Sequence, residues 1–288
     1  MAKQQQVAKI EESNLVPMTE GGFLDKYRAE DAGKGISTSA ADKQVPLLRV
    51  LQALSPQVKT TNPLYIDGAT EGMILMRGAP QELIRGENGF IFQPCYLTKH
   101  IVEWIPREQG GGYAGRHAFM PGDLEDIANA GRRLGARPDS KNKFKYVLPN
   151  NHELIETRYQ VGNIIFDADT ILPYVIPFSG SGHSVSKQWT YQLDTMRSKL
   201  ASFGTVWELK TRWVRNAQGD WYVLNPRLLG PIDVAPLPAG FTMERREALY
   251  LAGKALYESM ATGAREIGEE EGGSGVEDLG DSGAQAGV

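Results

Sequence analysis

At 288 residues, with 41% hydrophobic and 23% charged side chains, the chain has the composition of a soluble globular protein and length for one large domain or two small ones. One cysteine, Cys95, excludes a disulfide framework, no apolar run is long enough to span a bilayer, and the opening MAKQQQVAKIEESNL lacks the apolar core of a signal peptide, so a cytoplasmic protein in a reducing compartment is expected. The net charge of −4 is unevenly distributed: seven acids and no Lys or Arg follow Arg265, and without them 28 acidic residues face 31 basic ones, so a polyanionic partner is not excluded.

Residues 1–42 are polar and punctuated by Gly21-Gly22, Gly33, Gly35 and Ser37-Thr38-Ser39, which reads as a disordered arm with at most a short helix over Phe23 to Asp31. A folded domain is expected over 43–263. Leu47 to Leu54 is apolar enough for a buried strand, and Met73 to Met76 reads as another. Between them Asn62-Pro63 and Asp67-Gly68 mark turns. Short strands with Gly/Pro punctuation are the pattern of small barrels and sandwiches.

Asn88 to Phe119 is the most informative stretch. Phe90, Phe92 and Tyr96 sit among Ile91, Gln93 and Cys95 with strand character that runs to Ile105, and Pro106 ends it. A loop built on Gly110, Gly111 and Gly112 is expected next, carrying Arg107, Tyr113, Arg116, His117 and Phe119. Cations and flat rings on a free backbone are what holding a polyanion with stackable bases requires. The plainer reading is a solvated surface loop.

Residues 121–150 read as a basic insertion. A helix is expected from Leu124 to Leu134, and Arg132, Arg133, Arg137, Lys141, Lys143 and Lys145 interleave with Phe144 and Tyr146. Ile155, Thr157, Tyr159 and Val161 then alternate with Glu156, Arg158 and Gln160, and Leu172 to Phe178 is a further strand. Val185, Trp189, Leu193, Met196, Leu200 and Phe203 recur at helical spacing, with Ser184 or Ser186 as cap and Gly204 as stop. Trp189 is read as core, while Lys187, Tyr191 and Arg197 lie off the stripe. Val206 to Val214 and Trp221 to Leu224 flank a hairpin turn. Its Trp207/Trp213 face is expected to be buried, which leaves Lys210 and Arg212 for phosphate. Thr242 to Met260 is a last amphipathic helix, and 264–288 reads as a disordered acidic tail.

Enzymatic signals are poor. No Gly-x-x-x-x-Gly-Lys loop occurs, and Cys95 and the four histidines lack metal-ligand spacing. Asp167-Ala168-Asp169 reads as a polar turn more readily than as a metal site. No catalytic residue, cofactor or metal is expected.

The order PLLRVLQALSPQV, NPLYIDGATEGMI, FIFQPC, VEWIPREQGGG, ELIETRYQVG and YVIPFSGSGHSVSKQW, followed by an acidic tail, resembles a group of tailed-phage proteins regarded as single-stranded DNA-binding proteins. The resemblance covers about Val45 to Tyr222. It implies a mainly β fold with an OB-like small barrel of five strands, here with a long insertion and appended helices. It also implies non-catalytic binding of single-stranded DNA in phage replication or recombination inside the infected cell. The tail would dock replication or recombination proteins or compete with DNA, and a homo-oligomer is compatible with the pattern. Arg107, Arg116, Lys143, Lys145, Arg158, Lys210 and Arg212 are then expected on phosphates, and Tyr113, Phe119, Tyr146 and Trp213 on bases. The rival readings are a virion or scaffold protein, a strand-annealing recombinase and a metal-dependent nuclease.

Overall fold

A computed structural model describes Ser39, residues 42–140, 145–216 and 219–268. In chain order the strands are β1 (Gln44–Val45), β2 (Arg49–Val50), β3 (Ile74–Leu75), β4 (Leu83–Ile84), β5 (Phe90–Ile105), β6 (Gly112–Ala118), β7 (Arg137–Pro138) and β8 (Lys145–Val147). They continue with β9 (Glu153–Ile165), β10 (Ile171–Phe178), β11 (Thr205–Asn216), β12 (Gly219–Pro231) and β13 (Glu266–Ile267). Three helices are added: α1 (Ile127–Arg133), α2 (Gly182–Met196) and α3 (Met243–Ala261). The fold is mainly β, and its principal sheet curls into half a barrel. That sheet has eight strands, more than the five the resemblance implied.

The long antiparallel pair β5–β9 is its axis, in register from Ile91 opposite Ile165 to Trp104 opposite Glu153. Each long strand changes its other neighbour part-way along. β5 pairs with β11 through Phe90–Phe92 and with β6 through His100–Ile105, while β9 pairs with β8 at one end and β10 at the other. The change-over in β5 coincides with an irregularity between Pro94 and Tyr96. Proline has no ladder donor, and a bulge there bends the strand and raises its twist.

One core lies on the β11 side, where Phe92, Phe178, Trp189 and Trp207 meet among Ile74, Met76, Ile164 and Ile176. A second lies under α3, where Cys95, Val102, Tyr159 and Val161 pack with Leu256, Met260 and Ile267. Burial in this second core pushes the Cys95 thiol well above its usual range.

Several sequence expectations need correcting. Leu47–Leu54 gives only the two-residue β2. Gln52 turns inward to bond the Tyr222 backbone at both N–H and C=O, and its own N–H donates to Ser55 Oγ, so the strand ends there. Tyr113, Arg116 and His117 lie on β6 rather than in a free loop, and Gly110–Gly112 form the turn of the β5–β6 hairpin, all three with φ above +60°. The first helix is shorter than expected and starts after Asp126, which accepts from Ala128 N. α2 begins before both expected caps, because Ser186 faces inward, and it ends at Met196, while Gly204 closes a separate 3-10 turn. Glu266–Ile267, read as tail, pair in parallel with β1. The last helix lies where it was expected, and Thr242, read as its first residue, is its cap, accepting from Arg245 N. The arm at 1–38, residues 141–144 and the tail from 269 lie outside the described residues.

Candidate nucleic-acid interface

The expected site residues fall into two groups, and the larger is engaged internally. Tyr113 meets Trp104 edge-on at 6.0 Å between ring centroids. Arg116 donates to the carbonyls of Ile267 (2.9 Å) and Gly268 (3.3 Å), and its guanidinium lies 5.7 Å from the Tyr159 ring centroid. Phe119 and Tyr146 pack on Ile101, Ala130 and Leu154 beneath α1, with the Tyr146 ring where a side chain on Gly131 would be. Lys145 pairs with Glu153 at 2.7 Å. Arg158 is buried and donates to Ser186 Oγ (2.9 Å) and Thr190 Oγ1 (3.0 Å) on α2. Burial works against its charge, and Glu156 and Glu125 partly offset that cost. Lys143 and the Arg107 side chain lie outside the described residues.

This half of the sheet also holds a cluster that sequence spacing concealed. Glu103 on β5 bonds His117 on β6 through one oxygen (2.7 Å) and His152, just before β9, through the other (2.6 Å). Burial alone would raise the Glu103 carboxyl, but hydrogen bonds and charge from the two imidazoles outweigh it and hold it below the usual range. The oxygens face different rings, and no metal-holding group of three His, Cys, Asp or Glu exists among the described residues. Asp167 accepts from Asp169 N and Thr170 N, making the polar turn expected between β9 and β10.

His100 stands edge-on to Tyr159 at 5.7 Å. Burial, with the Arg116 charge nearby, brings its pKa down to about 4. An unfolded chain therefore binds a proton between about pH 6.5 and 4 that the folded chain refuses. Stability should fall as pH drops through that window. Urea midpoints at pH 7, 5.5 and 4.5 should show the decline, with a shallower slope in His100→Gln; equal slopes would remove His100 as its source.

The second group is on the β11–β12 hairpin. Its base is fixed: Thr211 Oγ1 donates to Gly72 O (2.8 Å), and Tyr222 packs against Gly72. Glu208 faces Arg227 at 2.8 Å and Lys210 at 3.4 Å. Burial raises the Glu208 carboxyl, and the two cations more than reverse this, keeping it ionised. Further along the hairpin Trp221 and Val223 join the first core with Val214 packed against it, so the expected burial of the Trp face holds for Trp207 (1% exposed) and not for Trp213 (50%). Arg212 and Arg215 flank Trp213, both exposed and without ion-pair partners among the described residues. Arg215 was not among the expected site residues, though its place two residues past Trp213 on a strand puts it on the same face. Lys210, Arg212 and Trp213 thus stay at the surface of the hairpin, with the two cations on the strand face opposite Trp213.

Residues 16–266 match the family described as Pam3 phage gp34-like protein. The chain belongs to that family. It is accordingly a phage protein, and the match spans the sheet, all three helices and the hairpin. No curated protein and no solved structure matches it.

Proposed function

We propose that this member of the Pam3 phage gp34-like family binds single-stranded DNA without catalysis, and that the outer end of the β11–β12 hairpin is its contact surface. The observation that carries the reading is Trp213, half exposed on a hairpin anchored at its base, with Arg215 on the same strand face and Arg212 on the other, neither ion-paired among the described residues. An exposed ring offers a stacking platform to any base, while Arg212 and Arg215 supply sequence-independent attraction to the backbone. Lys210, shared with Glu208, contributes less. The resemblance to phage single-stranded DNA-binding proteins supports the same reading and extends it to replication or recombination.

Titration with an oligothymidine, read by tryptophan fluorescence, should give quenching that weakens as salt rises. Trp213→Ala should weaken binding by about 1–3 kcal/mol, roughly 5- to 150-fold. Arg212→Ala should lower the salt slope by about 0.7. Absence of quenching at low salt would remove the proposal and favour the assembly-protein reading. Loss of intact oligonucleotide when magnesium is added would favour the nuclease instead.

A further inference from the structure

Arg158 is only 7% exposed, yet no carboxylate among the described residues lies within ion-pair distance of it. It donates to two neutral hydroxyls, Ser186 Oγ and Thr190 Oγ1, which leaves three of its five N–H groups without a partner among the described residues. A buried charge ordinarily keeps an opposite charge at contact. The strand register sharpens the need, because Lys99 on β5 stands directly opposite Arg158 on β9. Cations set opposite each other across a strand pair repel. A third cation, Lys187, is on the second turn of α2, near enough that its charge and that of Arg158 both act on His183. His183 donates from Nε2 to the Glu156 carbonyl at 2.8 Å, which holds the start of α2 against β9. The Glu156 carboxylate acts on Arg158 from beyond ion-pair distance.

One anion does reach this pair of cations. Glu125, in the turn before α1, accepts from Lys99 Nζ at 2.7 Å, and the Arg158 charge is felt at its carboxyl. It arrives there on strained backbone: Leu124 and Glu125 have φ of +51° and +53°, a left-handed conformation that non-glycine residues rarely adopt. The turn is pinned on both sides of them. Asp123 accepts from Met120 N and Arg133 and, through its carbonyl, from Asn129, while Asp126 caps α1. Between the pins Leu124 is 80% exposed, and the Glu125 side chain, 70% exposed, is held by Lys99 alone among the described residues. An exposed carboxylate on strained backbone is a weak occupant of a site with two cations. We propose that Lys99 and Arg158, with Lys187 at the rim, bind a phosphate group that enters by displacing the Glu125 carboxylate. A phosphate carries more charge and more acceptor oxygens than a carboxylate, so it can meet the Lys99 ammonium and the free N–H groups of Arg158 together. The same chemistry serves a free phosphate and one in a DNA backbone. The site goes beyond the hairpin reading and does not depend on it.

Calorimetric melting of the full chain in millimolar sodium phosphate, against sodium chloride of equal ionic strength at pH 7, tests it. Phosphate should raise Tm above the chloride value, and the rise gives the affinity. Glu125→Gln, which removes the resident carboxylate, should tighten phosphate about two- to fivefold. Adding Lys99→Gln to that variant should weaken it about tenfold or more. The melting point of each variant in chloride separates lost binding from lost folding. Trp213→Ala should leave the phosphate effect unchanged, because phosphate has no base to stack, so failure here and failure at the hairpin are read apart. An oligothymidine titration of Glu125→Gln identifies the source: tightening of phosphate and oligonucleotide together assigns the DNA backbone, and tightening of phosphate alone assigns a free phosphate. Equal melting in phosphate and chloride, in both the parent and Glu125→Gln, would overturn the proposal. So would a phosphate effect that Lys99→Gln leaves intact.

Discussion

Replacement of Trp189 by alanine is expected to cost about 3–5 kcal/mol and to lower Tm by roughly 6–20 °C. The side chain is 2% exposed and sits between α2 and the sheet. Its ring lies 5.8 Å from Phe92, 6.2 Å from Phe178 and 5.5 Å from Trp207, centroid to centroid. Truncation leaves a void lined by three rigid rings from three strands, none free to collapse into it without moving its own strand. Trp189→Phe should cost less than half as much, because the buried indole N–H has no hydrogen-bond partner to lose among the described residues. A calorimetric scan of the two variants decides the matter; an alanine variant melting within about 2 °C of the parent would show that the site is not core.

The second large effect is expected at Gly162. A β-carbon there would lie 2.2 Å from the Gln93 carbonyl oxygen and 2.4 Å from the tip of the Phe92 ring. The oxygen belongs to the backbone of β5 beside its irregularity, so it cannot retreat without opening the β5–β9 register. Overpacking ordinarily costs about 1–3 kcal/mol, and a backbone clash on the axis of the sheet should reach the upper end or exceed it. Gly122→Ala, with nothing within 4 Å, is the matched control and should be nearly silent. Urea unfolding of both should separate them by at least about 2 kcal/mol. Equal midpoints would mean that the strand pair is far more pliant than its packing implies.

The elements legible in the sequence were those whose signal is local. The strand character of Phe90–Ile105, the hairpin after Val206 and the Trp189 stripe each needed only side-chain periodicity, and each is present, the stripe as a helix only as far as Met196. The stretch Gly112–Ala118 misled because its glycines suggest a loop, whereas pairing with β5 is a tertiary fact that local propensity does not carry. The site was legible only in part. A cation on a strand looks the same whether it meets solvent or a helix, and only the docking of α2 decides that Arg158 bonds Ser186 and Thr190. The link from Glu103 to His117 and His152 joins three segments far apart in sequence, beyond the reach of any spacing rule. Trp213 was misplaced in its burial, because alternation cannot say which strand face Val214, Trp221 and Val223 turn to the core.

The pairing of Gln44–Val45 with Glu266–Ile267 ties the first described strand to the last. During synthesis the first strand therefore waits for a partner made more than two hundred residues later, and Val45 stays uncovered until the ribosome has nearly finished the fold. Arg116 then clasps the carbonyls of Ile267 and Gly268, which makes the seam a late, latched step. Any shortening meant to remove only the acidic tail has to begin after Gly268, since a cut at 263 would unpick the stitch and release both margins at once.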